Sequence, residues 1–148
     1  ARARGGKTVR CARPGVAVAV ATSGKREKSL RLLCAAGYDP GSFDAYVTAE
    51  DVVNPKPAPD LFLEAARRLG LTPRQCVVIE DAPSGVEAAR RAGMACVAVV
   101  QTVPPDQLAG ATRIVSCVDE LGLEGLLQLA RTGTEAGAKA YPEVRGKK

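Results

Sequence analysis

The 148-residue sequence predicts an α/β protein in which a parallel β-sheet lies between two layers of helices. From residue 16 onward, short apolar runs of strand length alternate with amphipathic segments of helix length. Such alternation forms right-handed βαβ units, which place parallel strands side by side and cover both faces with helices. The length corresponds to one domain. Because ligands bind beyond the carboxyl ends of the strands in such sheets, polar residues that follow the strands are the candidates for a site.

The first half of the chain predicts two strands and two helices. The apolar run 16–21 ends in a Thr-Ser-Gly turn and is typical of a buried strand. Residues 25–36 predict a helix, and residues 45–48 predict the second strand. Pro59 suits the first position of the next helix, which we expect to end at Gly70 because glycine tolerates the left-handed conformation that follows a helix.

The second half predicts three strands and two helices. Residues 76–79 predict the third strand, which leads directly into a pair of carboxylates. Ser84 is the predicted N-cap of a helix, because its hydroxyl can accept a hydrogen bond from a free backbone N–H of the first turn. Residues 95–100 and 113–116 predict two further strands, and leucines at helical spacing predict a last helix over 119–131.

Charge divides the chain into three parts. The net charge is +5, but basic residues are concentrated at the two ends, and residues 32–138 are net acidic. The strand and helix signals predict one folded core over 15–131, preceded by a basic segment over residues 1–14. Residues 132–148 lack periodicity and predict a basic, disordered tail. Nucleic-acid binding is not predicted, because it needs a basic face on a folded element. Membrane insertion is not predicted either, because no apolar run is long enough.

The histidine and cysteine content limits the chemistry. Histidine is absent, which excludes Ser-His-Asp and Cys-His catalysis and histidine metal sites within this sequence. The five cysteines lack CxxC spacing, and Cys34, Cys76 and Cys96 lie in apolar runs typical of buried thiols. This pattern predicts a reduced, soluble intracellular protein of the cytoplasm or an organelle stroma.

The turn after the first strand is a candidate anion site. Thr22 and Ser23 offer hydroxyls, and they precede a helix whose first backbone N–H groups have no partner within the helix. Lys25 is close enough in sequence to reach a second anionic group. The alternative is that the hydroxyls only cap the helix and that Lys25 is solvated.

Two further segments carry candidate charges. Lys56 lies in Asn54-Pro-Lys-Pro-Ala-Pro-Asp60, where three prolines restrict the backbone that presents its ammonium group to an anion or, alternatively, to water. Glu80 and Asp81 follow an apolar strand, where two adjacent carboxylates are costly without a cation. Mg²⁺ supplies that compensation, and an ion pair with Lys56 is the structural alternative.

Together these segments resemble the haloacid dehalogenase-like (HAD) hydrolase superfamily, and within it the subgroup that includes β-phosphoglucomutase and many sugar-phosphate phosphatases. The resemblance covers about residues 15–130 and implies a three-layer Rossmann-like core. Its motifs are the strand 16–21 with Thr22, Lys56 in its proline-rich segment, and Val77-Val-Ile-Glu-Asp-Ala-Pro-Ser-Gly85 followed by Ala88-Ala-Arg-Arg-Ala-Gly-Met94.

The resemblance also implies roles for these residues. The residues that would bind the phosphate are Thr22, Ser23, Lys25 and Lys56. Of these, Thr22 would hydrogen-bond the transferring phosphoryl group and Lys56 would neutralise it, so both would be catalytic. Glu80 and Asp81 would hold Mg²⁺. The implied activity is Mg²⁺-dependent hydrolysis of the phosphoric monoesters of small phosphorylated metabolites through an aspartyl-phosphate.

Two parts of the family pattern have no counterpart here. The family's nucleophile is the first Asp of an Asp-x-Asp motif on a strand upstream of the second motif, whereas no carboxylate precedes Glu27 in this sequence. The helical cap that such members insert between the first two motifs is missing as well. We therefore expect an incomplete core whose strands at 16–21 and 76–80 either close up or leave a slot.

These departures leave several functions open. The leading hypothesis is a fragment, the C-terminal part of a phosphatase that is inactive alone and has its missing N-terminal segment as a partner. The first alternative is a non-catalytic domain that binds phosphate and Mg²⁺. The second is part of a phosphomutase, because the motifs do not separate hydrolysis from transfer.

Overall fold

The structure is a computed structural model, and it describes residues 15–132. The longer elements within these residues are β1 (Ala19–Ala21), α1 (Arg26–Ala35), β2 (Ala45–Val47), α2 (Asp60–Leu69), β3 (Val77–Glu80), α3 (Pro83–Ala92), β4 (Ala95–Val99), β5 (Arg113–Val115) and α4 (Gly122–Thr132). The predicted basic segment 1–14 lies outside the described residues, as does the predicted tail 132–148 apart from Thr132, which is the last residue of α4.

The strands of the described chain are all paired in parallel, which confirms the predicted α/β class. They form two ladders, β1–β2 and β3–β4–β5. The described chain also divides into two compact units, the first formed by residues 15–55 with 60–71 and the second by 56–59 with 72–132. The predicted closure or slot between the strands at 16–21 and 76–80 stays a prediction, because residues 1–14 are outside the description.

The first unit is built by packing α2 on the two-stranded sheet. Leu61 and Ala65 are four residues apart, so they share one face of α2, and both are buried together with Val47 of β2. The helix ends at Gly70, whose φ of 69° confirms the predicted left-handed stop. No residue of α1 is buried. Cys34 of α1 is therefore exposed, and the prediction from its apolar neighbours that it is buried is wrong.

The second unit places β4 at its centre. All five residues of β4 are buried, because β4 is paired on both edges and covered on both faces. Its residues Ala95, Val97 and Val99 share a core with Leu129 of α4, and α3 also packs against the strand. Cys96 is buried as predicted, whereas Cys76 is only half-buried.

Two helices of the second unit begin at residues other than those predicted. α3 starts at Pro83 with Ala82 as its N-cap, so the predicted capping role of Ser84 is wrong. Proline occupies the first helical position well, because its missing N–H has no partner there in any case. α4 starts at Gly122 rather than near residue 119, because Val118–Glu120 form a separate 3₁₀ turn.

A polar network ties the end of β2 to both helices of the first unit. Thr48 is completely buried, and Asp51 accepts hydrogen bonds from its backbone N–H at 2.8 Å and from its hydroxyl at 3.1 Å. The same carboxylate pairs with Arg26 of α1 at 2.9 Å and with Arg68 of α2 at 3.3 Å. The hydrogen bonds from Thr48 and the nearby guanidinium groups hold the pKa of Asp51 at about 2, well below its usual value of 3.8.

We expect Asp51→Asn to lower the free energy of unfolding at neutral pH by about 2 kcal/mol, because the folded state favours the ionised carboxylate. The depressed pKa means that this contribution is complete above pH 3.8 and is lost as the pH falls towards 2. Urea unfolding at several pH values should therefore show a difference between wild type and Asp51→Asn that shrinks over this window. Asp106→Asn, at an exposed position, is the control, and a difference that persists at the acid end would contradict the prediction.

Candidate functional site

The turn after β1 belongs to the first unit and is held by three hydrogen bonds. The Thr22 N–H donates to the carbonyl of Val47 at 2.9 Å, and the Ala49 N–H donates to the carbonyl of Gly24 at 3.2 Å. The Thr22 hydroxyl accepts from the Gly24 N–H at 3.1 Å, which leaves its own proton available for donation to a ligand oxygen.

Ser23 and Lys25 lie in the same turn and are both exposed. Lys25 is the N-cap residue of α1, one position before the first helical turn, and no side-chain hydrogen bond caps this helix in the described structure. The alternative in which the Thr22 and Ser23 hydroxyls cap α1 is therefore not what the structure shows. The first backbone N–H groups of α1 and the Thr22 hydroxyl remain suited to an anion.

Lys56 and Glu80 are brought together in the second unit. The Nζ atom of Lys56 lies 3.3 Å from Oε1 of Glu80, and their side chains are only 9% and 13% exposed. This is the ion pair considered above as the structural alternative to a metal. It satisfies one carboxylate oxygen only, because Oε2 of Glu80 is buried and has no hydrogen-bond partner among the described residues. A buried carboxylate oxygen without a donor is costly, and a cation would relieve that cost.

Gly85, in the first turn of α3, makes room for the Glu80 carboxylate. A Cβ atom at this position would lie 1.5 Å from Oε2 of Glu80 and 2.0 Å from its Cδ. Gly85 was part of the motif that carried the family resemblance, but its contact with Glu80 was not predicted. The sequence signal for such a contact is a glycine near the start of a helix that follows a carboxylate, and only the packing of α3 beside β3 reveals it.

Asp81 directly follows Glu80 at the end of β3 and is half-buried. Within residues 15–132, no three Cys, Asp or Glu side chains come together as a metal cluster. Nevertheless, carboxylate oxygens are the ligands that Mg²⁺ prefers, and Oε2 of Glu80 is a carboxylate oxygen without a hydrogen-bond partner. The carboxylate of Glu80 therefore suits a hard divalent cation, and Asp81 is the adjacent residue in the chain.

Cys96 lies on β4 near the Lys56–Glu80 pair, and its thiol stays protonated at neutral pH. Burial and the Glu80 carboxylate raise the pKa of its thiol to about 12, and the positive charge of Lys56 offsets this only in part. A thiol with such a pKa carries no thiolate at neutral pH. Cys96 is therefore a buried packing residue and not a nucleophile.

The described residues combine a parallel α/β fold with a hydroxyl-bearing turn after β1 in the first unit and a lysine and carboxylates around the end of β3 in the second, which are the features that carried the family resemblance. The chain belongs to the haloacid dehalogenase-like hydrolase family, whose model matches residues 11–99. None of the helices among the described residues is long and apolar enough to span a membrane.

Known relatives are phosphatases and a larger chloroplast protein. The chain is 44% identical over 119 residues to Protein SUPPRESSOR OF QUENCHING 1, chloroplastic, of Arabidopsis thaliana. The matched region covers 79% of this chain and 11% of that protein. The chain is 58% identical over 57 residues to the fructose-1-phosphate phosphatase YqaB of Escherichia coli. This match covers 38% of the chain and 30% of YqaB.

Solved structures of the family share the fold. A crystal structure of CbbY from Rhodobacter sphaeroides in complex with xylulose-(1,5)bisphosphate matches with a TM-score of 0.69 at 33% identity, over 76% of this chain and 52% of that one. A β-phosphoglucomutase of Clostridium difficile matches with a TM-score of 0.68 at 27% identity, over 80% of this chain and 50% of that one. The chain thus spans about half the length of these solved relatives.

Proposed function

We propose that this chain carries the phosphate- and cation-binding part of a Mg²⁺-dependent phosphatase that acts on small phosphorylated metabolites. The observation that carries the proposal is the buried carboxylate of Glu80, which pairs with Lys56 through one oxygen and leaves the other without a donor. Relatives that are named as phosphatases support the reaction type. YqaB is named for fructose-1-phosphate and CbbY is in complex with xylulose-(1,5)bisphosphate, and both of these are small sugar phosphates.

In this proposal the chain's own residues bind and neutralise a phosphoryl group. The Thr22 hydroxyl donates a hydrogen bond to a phosphoryl oxygen, and Ser23 and Lys25 lie in the same turn. Lys56 offsets the negative charge of the phosphoryl group during transfer. Glu80 and Asp81 would hold Mg²⁺, and the ion would supply positive charge to offset that of the phosphoryl group.

The attacking carboxylate would come from outside this sequence. No Asp or Glu precedes Glu27, and the thiol of Cys96 is not ionised at neutral pH. The missing N-terminal segment of the same protein is therefore the proposed partner. Two relatives carry chloroplastic in their names, so an organelle stroma is a proposed location alongside the cytoplasm.

A second candidate is a non-catalytic domain that binds phosphate and Mg²⁺, because the same hydroxyl, lysine and carboxylates would serve binding without a covalent step. A phosphomutase remains a further option, because one of the matching structures is a β-phosphoglucomutase.

Hydrolysis of p-nitrophenyl phosphate with Mg²⁺ tests the proposal. We expect the 148-residue chain to be inactive and a version extended upstream to an Asp-x-Asp strand to turn over, with activity lost in EDTA. Hydrolysis by the short chain would contradict the assigned source of the nucleophile. Binding of phosphate and Mg²⁺ without an upstream Asp-x-Asp strand in the gene would favour the non-catalytic domain.

A further inference from the structure

Arg26 and Asp51 join the turn after β1 to the loop after β2. Arg26 is the first residue of α1, and its Nη2 atom donates to the Asp51 carboxylate at 2.9 Å and to the carbonyl oxygen of Tyr46 at 3.3 Å. Its guanidinium also lies 5.8 Å from the centre of the Tyr46 ring. The start of α1 is thus held at two points along residues 46–51.

Backbone hydrogen bonds complete this connection. The N–H of Thr22 and the carbonyl of Gly24 are bonded to Val47 and Ala49, the residues on either side of buried Thr48. The turn is therefore fixed at residues 22 and 24 by the backbone and at residue 26 by a side chain. Loss of the last contact would leave residues 22 and 24 in place and would free the start of α1, whose first backbone N–H groups follow the turn directly.

Asp51 is suited to anchor this arrangement because it is itself held firmly. Its carboxylate accepts from the Thr48 backbone and hydroxyl and also pairs with Arg68 of α2. A guanidinium group can donate to Asp51 and to a backbone carbonyl at the same time, whereas a lysine ammonium is a point charge without that planar geometry.

We infer that Arg26 and Asp51 are positioning residues, whose ion pair holds the start of α1 against the turn Thr22–Gly24 in the geometry that binds a phosphoryl group. The inference rests on the proposed function. Neither residue needs to touch the phosphate, because donors that are held in place before binding lose less freedom when the ligand arrives.

The test is a titration of the full 148-residue chain with inorganic phosphate, followed by NMR through the backbone amides of Ser23 and Gly24. We expect saturable shifts in the wild type and a Kd raised about tenfold in Arg26→Met, because a positioned donor set is lost. Arg26→Lys should weaken binding similarly, since it keeps the charge but not the geometry. Arg31→Met is the matched control, because Arg31 lies on the same helix and pairs with exposed Glu27.

The outcomes separate this inference from the proposed function. An absence of saturable shifts in the wild type would contradict the phosphate site itself, and the inference with it. Saturable shifts with an unchanged Kd in Arg26→Met would overturn only the positioning role, even if the variant melts at a lower temperature. Full affinity in Arg26→Lys would show that the charge matters and the geometry does not, which would also overturn it.

Discussion

Gly85→Ala is expected to lower the free energy of unfolding by about 2 kcal/mol, although alanine is the better helix former by about 0.5–1 kcal/mol. The new Cβ would lie 1.5 Å from Oε2, 2.0 Å from Cδ and 2.4 Å from Cγ of Glu80. The Glu80 side chain would therefore have to leave its position and its partner Lys56. Urea unfolding gives the sign of the change. If Glu80 holds Mg²⁺ as proposed, Gly85→Ala should also abolish the stabilisation that Mg²⁺ gives to the wild type.

Two further variants test whether contact with Glu80 causes the expected loss of stability in Gly85→Ala. Gly110→Ala is the control, because a Cβ there meets Val86 at an ordinary 3.5 Å. In a Glu80→Ala background, Gly85→Ala should cost nothing or stabilise, since the three atoms that the new Cβ would meet are gone. A Gly85→Ala variant as stable as the wild type would contradict the close packing of Gly85 against Glu80.

Local pattern was sufficient to predict most of the fold. Strands such as Ala45–Val47 and Ala95–Val99 were predicted to within a residue at each end, because apolar runs between turn signals depend on near neighbours. Cys34 shows the limit of this reasoning, since burial depends on what packs against a helix and not on the helix itself.

The site was predictable as a set of residue types and not as a set of contacts. Glu80 and Asp81 are equivalent in sequence, and only the fold shows that Glu80 is the one paired with Lys56. The connection between Arg26 and Asp51 joins residues 25 positions apart, and nothing in the local pattern marks it. Contacts of this kind arise from the packing of distant elements, which propensity and periodicity do not describe.

Lys56→Met should destabilise the chain by about 3 kcal/mol in EDTA, because it leaves a buried carboxylate without its cation. Both side chains are largely shielded from water, so solvent cannot replace the lost ammonium group. A matched neutral partner should relieve this cost. We therefore expect Lys56→Met combined with Glu80→Gln to recover at least about 1 kcal/mol relative to the sum of the single changes.

The effect of Mg²⁺ on the free energy of unfolding of Lys56→Met tests whether Glu80 binds the cation. If Glu80 and Asp81 hold Mg²⁺, addition of Mg²⁺ should reduce the loss of stability in Lys56→Met, because the cation compensates the unpaired carboxylate of Glu80. It should not do so in the double variant with Glu80→Gln. Lys28→Met, which removes an exposed lysine of α1, is the control for the general effect of losing one positive charge. Equal unfolding energies for Lys56→Met and Lys28→Met would show that the Lys56–Glu80 pair does not hold the second unit together. A Mg²⁺ effect that survives Glu80→Gln would place the cation elsewhere.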